Sequence, residues 1–441
     1  MLMKDGGQML DQGILRKGLT FAAGCAALTF ASQAAAQSAS QLLTAPEYDR
    51  GRNVSVLQRE RPDYVALGVP AGGFTVFPKL DTSLAYESNI FGARTDKQGA
   101  AVFRATPSVD VLSNWGRHQL RASAGLRLRE VLDHSDENET GWYARGFGRL
   151  DIHGQSYATA TLDAQRAYQN RLEAEFPANA AKPIPFTSAG GTLRGVYQAD
   201  RLRASVGGDI HTLNYSDVPT ITGGTLDNRG RDNTSYTAEA RLEYAVSPDT
   251  ALFVRPGIGK IDYKETGGVF GPSRNSSDYS VLAGANFDVT ALVRGEVGVG
   301  YTSRKYESPV FGRISGLAMA AKVEYFPTEL TTVTLEGHRR ITESIISGAA
   351  GYFDTGAALV LDHELRRNIL VRARGEYYAL DYRGIDRNDK VYGLTGGATY
   401  LLSHTVGLNG SLSYLKRSSS GVIAGREFDD VIVSIGLVLQ R

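Results

Sequence analysis

The chain of 441 residues carries 48 basic and 47 acidic side chains, 50 glycines, 22 tyrosines and a single cysteine. Balanced charge with no run of one sign excludes the basic stripe of a nucleic-acid binder, and one thiol excludes a disulfide-stapled fold or a cysteine-based metal centre. Beyond residue 36 no stretch approaches the ~20 consecutive apolar residues that a membrane-spanning helix needs.

The first element is a charged lead, Arg16 and Lys17, followed by a mostly apolar run and then Ala34-Ala35-Ala36. This layout predicts a secretory signal peptide over 1–36, cleaved after Ala36 and taking Cys25 with it. The run is too short for an anchor and ends at Gln33. Residues 37–73 are polar, charged and irregular, as in "EYDRGRNVSVLQRERPDYVALGVPAGG" (47–73), and predict a periplasmic N-terminal segment.

From Phe74 onward the pattern changes to period two. In "HQLRASAGLRLREV" (118–131) one face reads Leu120, Ala122, Ala124, Leu126, Leu128, and the other Gln119, Arg121, Ser123, Gly125, Arg127, Arg129. Side chains alternate across a pleated strand, so this is a strand with one apolar and one polar face. The same signal recurs at 77–87, 101–112, 118–131, 141–152, 156–168, 190–198, 201–213, 234–246 and 250–263. It continues at 277–289, 292–304, 315–326, 330–342, 351–362, 368–380, 391–402, 405–416 and 430–440. Segments of about ten residues have the length of a tilted transmembrane strand.

Connections after even-numbered segments are short, such as "HGQ", "AD" and "SH". Those after odd-numbered segments are long and polar, such as "NRLEAEFPANAAKPIPFTSA" (170–189). A soluble sandwich has no reason to alternate in this way; an outer-membrane barrel does, with short periplasmic turns and long external loops. The expected fold is therefore all-β, an antiparallel up-and-down transmembrane barrel of sixteen to eighteen strands over 74–441, with the apolar rows in outer-membrane lipid. Tyr86, Tyr244, Tyr263, Tyr301, Tyr325, Phe326, Tyr377, Tyr378 and Tyr414, near segment ends, are expected to form the interfacial aromatic girdles.

The stretches 61–92 and 103–131 carry Arg61-Pro62, Tyr64, Gly68, Gly72, Phe74, Pro78, Tyr86, Asn89-Ile90-Phe91, Pro107, Trp115, Arg117 and His118. In these residues the chain resembles the putative β-barrel porin 2 family of outer-membrane proteins. The resemblance implies insertion by the barrel assembly machinery, and it implies association with polysaccharide synthesis and export.

With so many strands the lumen is wide enough for water. Arg121, Arg127, Arg129, Arg145 and Arg149 fall on the lumen-facing parity of adjacent strands, a basic ladder able to attract anionic solutes such as acidic sugars. The competing reading pairs them with Asp151, Asp163, Asp209, Glu239 and Glu243, which merely keeps the lumen hydrated. Arg241, Arg255, Arg294, Glu296, Lys322, Glu324, Glu336, Arg340, Arg372, Arg374 and Glu376 are of mixed sign, so strong selectivity is not expected.

An enzyme is the rival class. Asp209 and His211 share one strand face, Glu336, His338 and Arg340 another, but the spacing brings no serine, Ser205 included, to either histidine. No metal-ligand spacing occurs among the histidines, and "GLTGGATY" (393–400) lacks the lysine of a phosphate loop, so no metal or cofactor is expected. "DNRGRDN" (227–233) reads as a solvated loop. The function expected is passive passage of small hydrophilic solutes. The alternatives are export of a surface polysaccharide, or a structural or enzymatic barrel. No interface signal fixes an oligomeric state.

Overall fold

A computed structural model describes residues 51, 53–267, 271–290 and 292–441; the expected signal peptide and Cys25 lie outside the described residues. Among the described residues eighteen antiparallel strands follow the chain and close on themselves. They are β1 (Phe74–Glu87), β2 (Ala100–Ser113), β3 (Gln119–Val131), β4 (Glu139–His153), β5 (Ser156–Gln169) and β6 (Ile184–Ala199). Next come β7 (Leu202–Tyr215), β8 (Asn233–Ser247), β9 (Thr250–Tyr263), β10 (Ser276–Val289), β11 (Val293–Tyr306) and β12 (Ile314–Thr328). The wall is completed by β13 (Thr331–Glu343), β14 (Gly351–Arg366), β15 (Ile369–Arg383), β16 (Asn388–Leu401), β17 (Val406–Ser420) and β18 (Phe428–Gln440). Each strand pairs with its sequence neighbours, and β18 returns to β1 in the register Leu439↔Leu80, Ile435↔Leu84. Among the described residues none of the eighteen wall strands is left with an open edge, which is the condition for a sheet to sit in lipid.

The apolar rows point outward. Leu162 is 69% exposed, Ile435 67% and Val206 65%, while Leu120 and Leu126 stand out on the same side of β3. Through the middle of the wall, charged side chains turn inward instead. Of the expected girdle residues, Tyr86, Tyr244, Tyr301, Tyr325, Tyr377 and Tyr414 are exposed on the outer face. Tyr263, Phe326 and Tyr378 are not part of it. The first two are buried, and Tyr378 packs its ring against His338 and donates to Glu376. Position near a strand end does not fix the face; parity does.

Inward-facing glycines let the wall curve. A Cβ on Gly300 of β11 would run into the carbonyl oxygen of Val281 on β10, so only hydrogen fits where these strands approach.

At the short-turn end the N-terminal segment lies against the rim. Val56 donates its N–H to Thr332 Oγ1 (3.0 Å), and Arg61 pairs with Glu364 (2.6 Å). Arg294 holds Asn53 O (2.9 Å) and Gln58 Oε1 (3.0 Å), and Gln440 reaches Tyr64 O (3.3 Å). The segment thus follows the rim from β11 round to β18, then turns back at Gly72 (φ 62°), so that Val69–Ala71 pairs with the start of β1. The loop 227–233 is only partly solvated: Asp227 and Arg229 are exposed, but Asn228 and Arg231 are buried, with Arg231 stacked over Tyr215.

Candidate functional site

Most lumen charges are neutralised at close range. Arg241 pairs with Glu243 and Glu296 (both 2.8 Å), Arg340 with Asp354 (2.9 Å) and Arg372 with Asp362 (3.2 Å). Arg374 bridges Glu336 (3.1 Å) and Glu376 (2.7 Å), and Arg294 meets Glu324. A carboxylate and a guanidinium inside a wall need each other because either alone would lose its hydration uncompensated.

The basic ladder divides. Arg121 is taken by Asp110 (2.7 Å), Arg129 by Glu87 (2.8 Å) and Glu139 (3.5 Å), and Arg149 by Asp151 (2.8 Å). Of the carboxylates expected to neutralise the ladder, Asp151 does so, at Arg149. Asp209 sits between Thr192 and Thr237, and Glu239 between Gly207 and Gly257. Arg127 gives a hydrogen bond to Gln165 (3.1 Å) and lies 4.7 Å above the Tyr143 ring. Arg145 is exposed opposite Asp163 in register. Among the described residues neither has a carboxylate within ion-pair distance. Both line a lumen cavity of about 630 Å³ on β2–β5, together with Arg121 and Tyr143 and with two carboxylates, Asp110, which holds Arg121, and Asp163.

The outer mouth is crossed by the loop 170–183, which joins β5 to β6 and reaches the opposite wall. Leu172 packs with Leu415 and Phe428, next to Val391. The Ala174 carbonyl accepts from Arg417 (2.9 Å) and Arg387 (3.0 Å), both held by buried Asp389. Glu175 accepts from Ser344 Oγ (2.7 Å) and the Ile345 N–H (2.8 Å). Phe176 folds back onto Ile184, Phe186, Leu213 and Tyr215, and Arg171 grips Glu137 with two nitrogens. Because β5 and β14 are diametrically placed among eighteen strands, the loop spans the lumen rather than hugging one side.

Under it lies a small cavity of about 50 Å³ containing Glu173, Glu175 and Glu343. Burial pushes the Glu173 carboxyl up to about 8, against the Asn170 N–H, Gln169 and Arg231, which act the other way. Burial raises Glu175 too. Beside the loop, Arg426 opens onto an outer depression of about 520 Å³. Among the described residues it donates to the carbonyls of Arg171 (2.6 Å) and Phe91 (3.2 Å). Burial and the neighbouring Arg417 and Arg171 push it down to about 10. Sequence reasoning missed Arg426, because a loop has no parity to mark which side chains face the pore.

Ser205 and His211 are not brought together. Ser205 accepts from Arg194 (2.9 Å) and lies opposite Val196 and Arg241, while His211, six residues along β7, lies opposite Gly190 and Ser235. At ~3.3 Å per residue that is about 20 Å apart. His338 meets Asp354 (3.1 Å), which also serves Arg340.

The sequence model of a family described as "Putative beta-barrel porin 2" matches residues 61–441. No curated protein matches. Solved structures with the same general architecture include OccK2 (OpdF) of Pseudomonas aeruginosa in complex with glucuronate, at 11% identity and TM-score 0.46, covering 86% of this chain and 99% of that one. OpdL of Pseudomonas aeruginosa matches at 12% identity and TM-score 0.44 over 84% and 99%, and the outer membrane protein OpdK of Pseudomonas aeruginosa at 11% and 0.42 over 83% and 99%.

Proposed function

The chain belongs to the putative beta-barrel porin 2 family, and from that premise we propose that this outer-membrane, porin-like barrel passes small hydrophilic anions in preference to cations. The supporting observation is the asymmetry of the lumen wall. Arg127 and Arg145 face about 630 Å³ of lumen space without a carboxylate partner among the described residues, whereas the wall from β8 to β15 is largely charge-compensated. Arg426 at the outer depression extends the positive path toward the exterior. A confined positive wall raises the local concentration of anions. The preference is modest because most of the other lumen arginines are paired with carboxylates.

The loop 170–183 narrows the mouth, which favours small solutes over a polymer. Export of a nascent polysaccharide requires that loop to be displaced, with a partner machine delivering the chain. Assembly into the membrane by the barrel machinery belongs to the same reading.

Planar-bilayer recording tests it. Wild-type channels in a KCl gradient give a reversal potential on the anion-selective side, and Arg127→Glu with Arg145→Glu moves it several-fold toward cations. Arg121→Glu, whose charge is already held by Asp110, moves it less. Equal selectivity in all three proteins removes the anion reading; a silent bilayer combined with loss of surface polysaccharide on gene deletion replaces it with export.

A further inference from the structure

Among the described residues, the cations on the lipid-facing surface are concentrated at one end. Arg166, Lys260, Lys305, Arg383, Lys390 and Lys416 lie on outward parity near the loop ends of β5, β9, β11, β15, β16 and β17. The short-turn ends carry one, Arg366, the last residue of β14 beyond a bulge. Long basic side chains avoid the hydrocarbon by extending to its interface, but snorkelling alone does not select one interface over the other.

The tightest group is on β16 and β17. Lys390 pairs in register with Ser418, and Tyr392 with Lys416, so the two lysines are diagonal neighbours with the serine hydroxyl beside them. Diagonal neighbours on a sheet are ~7–8 Å apart, a span that two ammonium groups can close around one tetrahedral anion. Both lysines are exposed, and neither has a carboxylate within ion-pair distance among the described residues. Asp429 is opposite Lys416 but is engaged by Lys97 (2.7 Å); Asp381 is engaged by Arg383 (2.7 Å). Directly below lie Tyr377 and Tyr392, their rings 5.1 Å apart, and Tyr414, marking the depth at which headgroups begin.

We propose that Lys390, Ser418 and Lys416 form a binding site on the outside of the barrel for the phosphate of an outer-leaflet lipid. Charge complementarity points to an anion. The tyrosines beneath place that anion on a molecule whose acyl chains run down the barrel wall, so the occupant is a lipid and not a free ion. Two charge-assisted contacts to one phosphate fix the lipid laterally, which a single exposed lysine does not.

The test is binding of bisphosphorylated lipid A to the folded barrel in detergent, read by native mass spectrometry against the same lipid with its phosphates removed. Wild-type protein retains the phosphorylated lipid. The Lys390→Gln, Lys416→Gln double variant binds it at least ~tenfold more weakly, as expected for losing two charge-assisted bonds. Lys390→Arg with Lys416→Arg retains binding, and Lys322→Gln inside the lumen changes nothing. Unheated electrophoretic mobility verifies that each variant is folded. Equal retention of the dephosphorylated lipid, or unchanged binding by the glutamine variant, overturns the site. Saturation by inorganic phosphate alone, at the concentration at which the lipid saturates, overturns the lipid as its occupant.

Discussion

Arg294 has no exposed surface, yet it is a cation inside a barrel wall. It is tolerated because Glu324 supplies the counter-charge, while Asn53 O and Gln58 each take a further donor. Arg294→Met leaves Glu324 buried and unpaired, and is expected to lower unfolding stability by about 3–5 kcal/mol. Arg121→Gln breaks a half-exposed pair and should cost about 0–1 kcal/mol. Urea unfolding of the two variants in detergent compares them directly, and equal losses would mean that the Arg294 cluster is better hydrated than its burial indicates. The residues that carry the family resemblance act in the same structural way. Asn89 closes its loop through Ala93 and Asp429, Trp115 meets Phe74 edge-on with ring centroids 5.5 Å apart, and His118 (φ 66°) exchanges hydrogen bonds with Asp151. They hold turns and rims and leave solute choice to other positions.

Among the elements, the loop 170–183 is the one that the proposed function makes the constriction, since it reaches across the mouth through Ala174 and Glu175. Its Glu173 keeps a proton up to about pH 8 when the loop is docked, whereas an undocked carboxyl titrates in the ordinary range near 4.3. The docked form therefore binds more protons between those limits. Its advantage is full below the ordinary carboxyl range and is lost as pH rises toward about 8. Single-channel conductance is accordingly expected to be larger at pH 9 than at pH 5, with Glu173→Gln flattening the dependence toward the low-conductance state. A wild-type conductance independent of pH would show that Glu173 does not bias the loop. Removing the opposite anchor, by Arg387→Ala with Arg417→Ala, is expected to raise conductance at every pH, since the Ala174 carbonyl then loses both donors.

At the scale of the whole molecule, one surface meets hydrocarbon and the other water, and adjacent residues on a strand fall on opposite sides. Leu162, in the middle of β5, faces lipid, and Asp163 beside it faces the lumen. Leu162→Arg is expected to destabilise the barrel by about 2–4 kcal/mol, as a charge does near the bilayer midplane. Asp163→Arg is expected to fold normally and alter ion selectivity instead. Folding titrations into lipid vesicles distinguish them, and similar penalties at the two positions would contradict the assignment of faces.

A barrel of sixteen to eighteen strands, their order, most of the alternation of turns and loops and the lipid-facing rows were legible from the chain, because strand parity and turn length are local properties; the β15–β16 connection, 384–387, departs from the alternation and is as short as the turns. Local reasoning failed at Tyr263, Phe326 and Tyr378, where nearness to a strand end was read without parity. Which arginines stay unpaired was decided by the tertiary structure, since Arg121 finds Asp110, and Arg129 finds Glu87, across strands, while Arg145 does not close on Asp163. The crossing loop was equally hidden: Glu175 meets Ser344 and Ile345 only after the sheet has closed and brought opposite walls within reach of one loop. A repeating alternation specifies a wall, but contacts across the lumen depend on the diameter and curvature of the closed cylinder, which no single segment encodes.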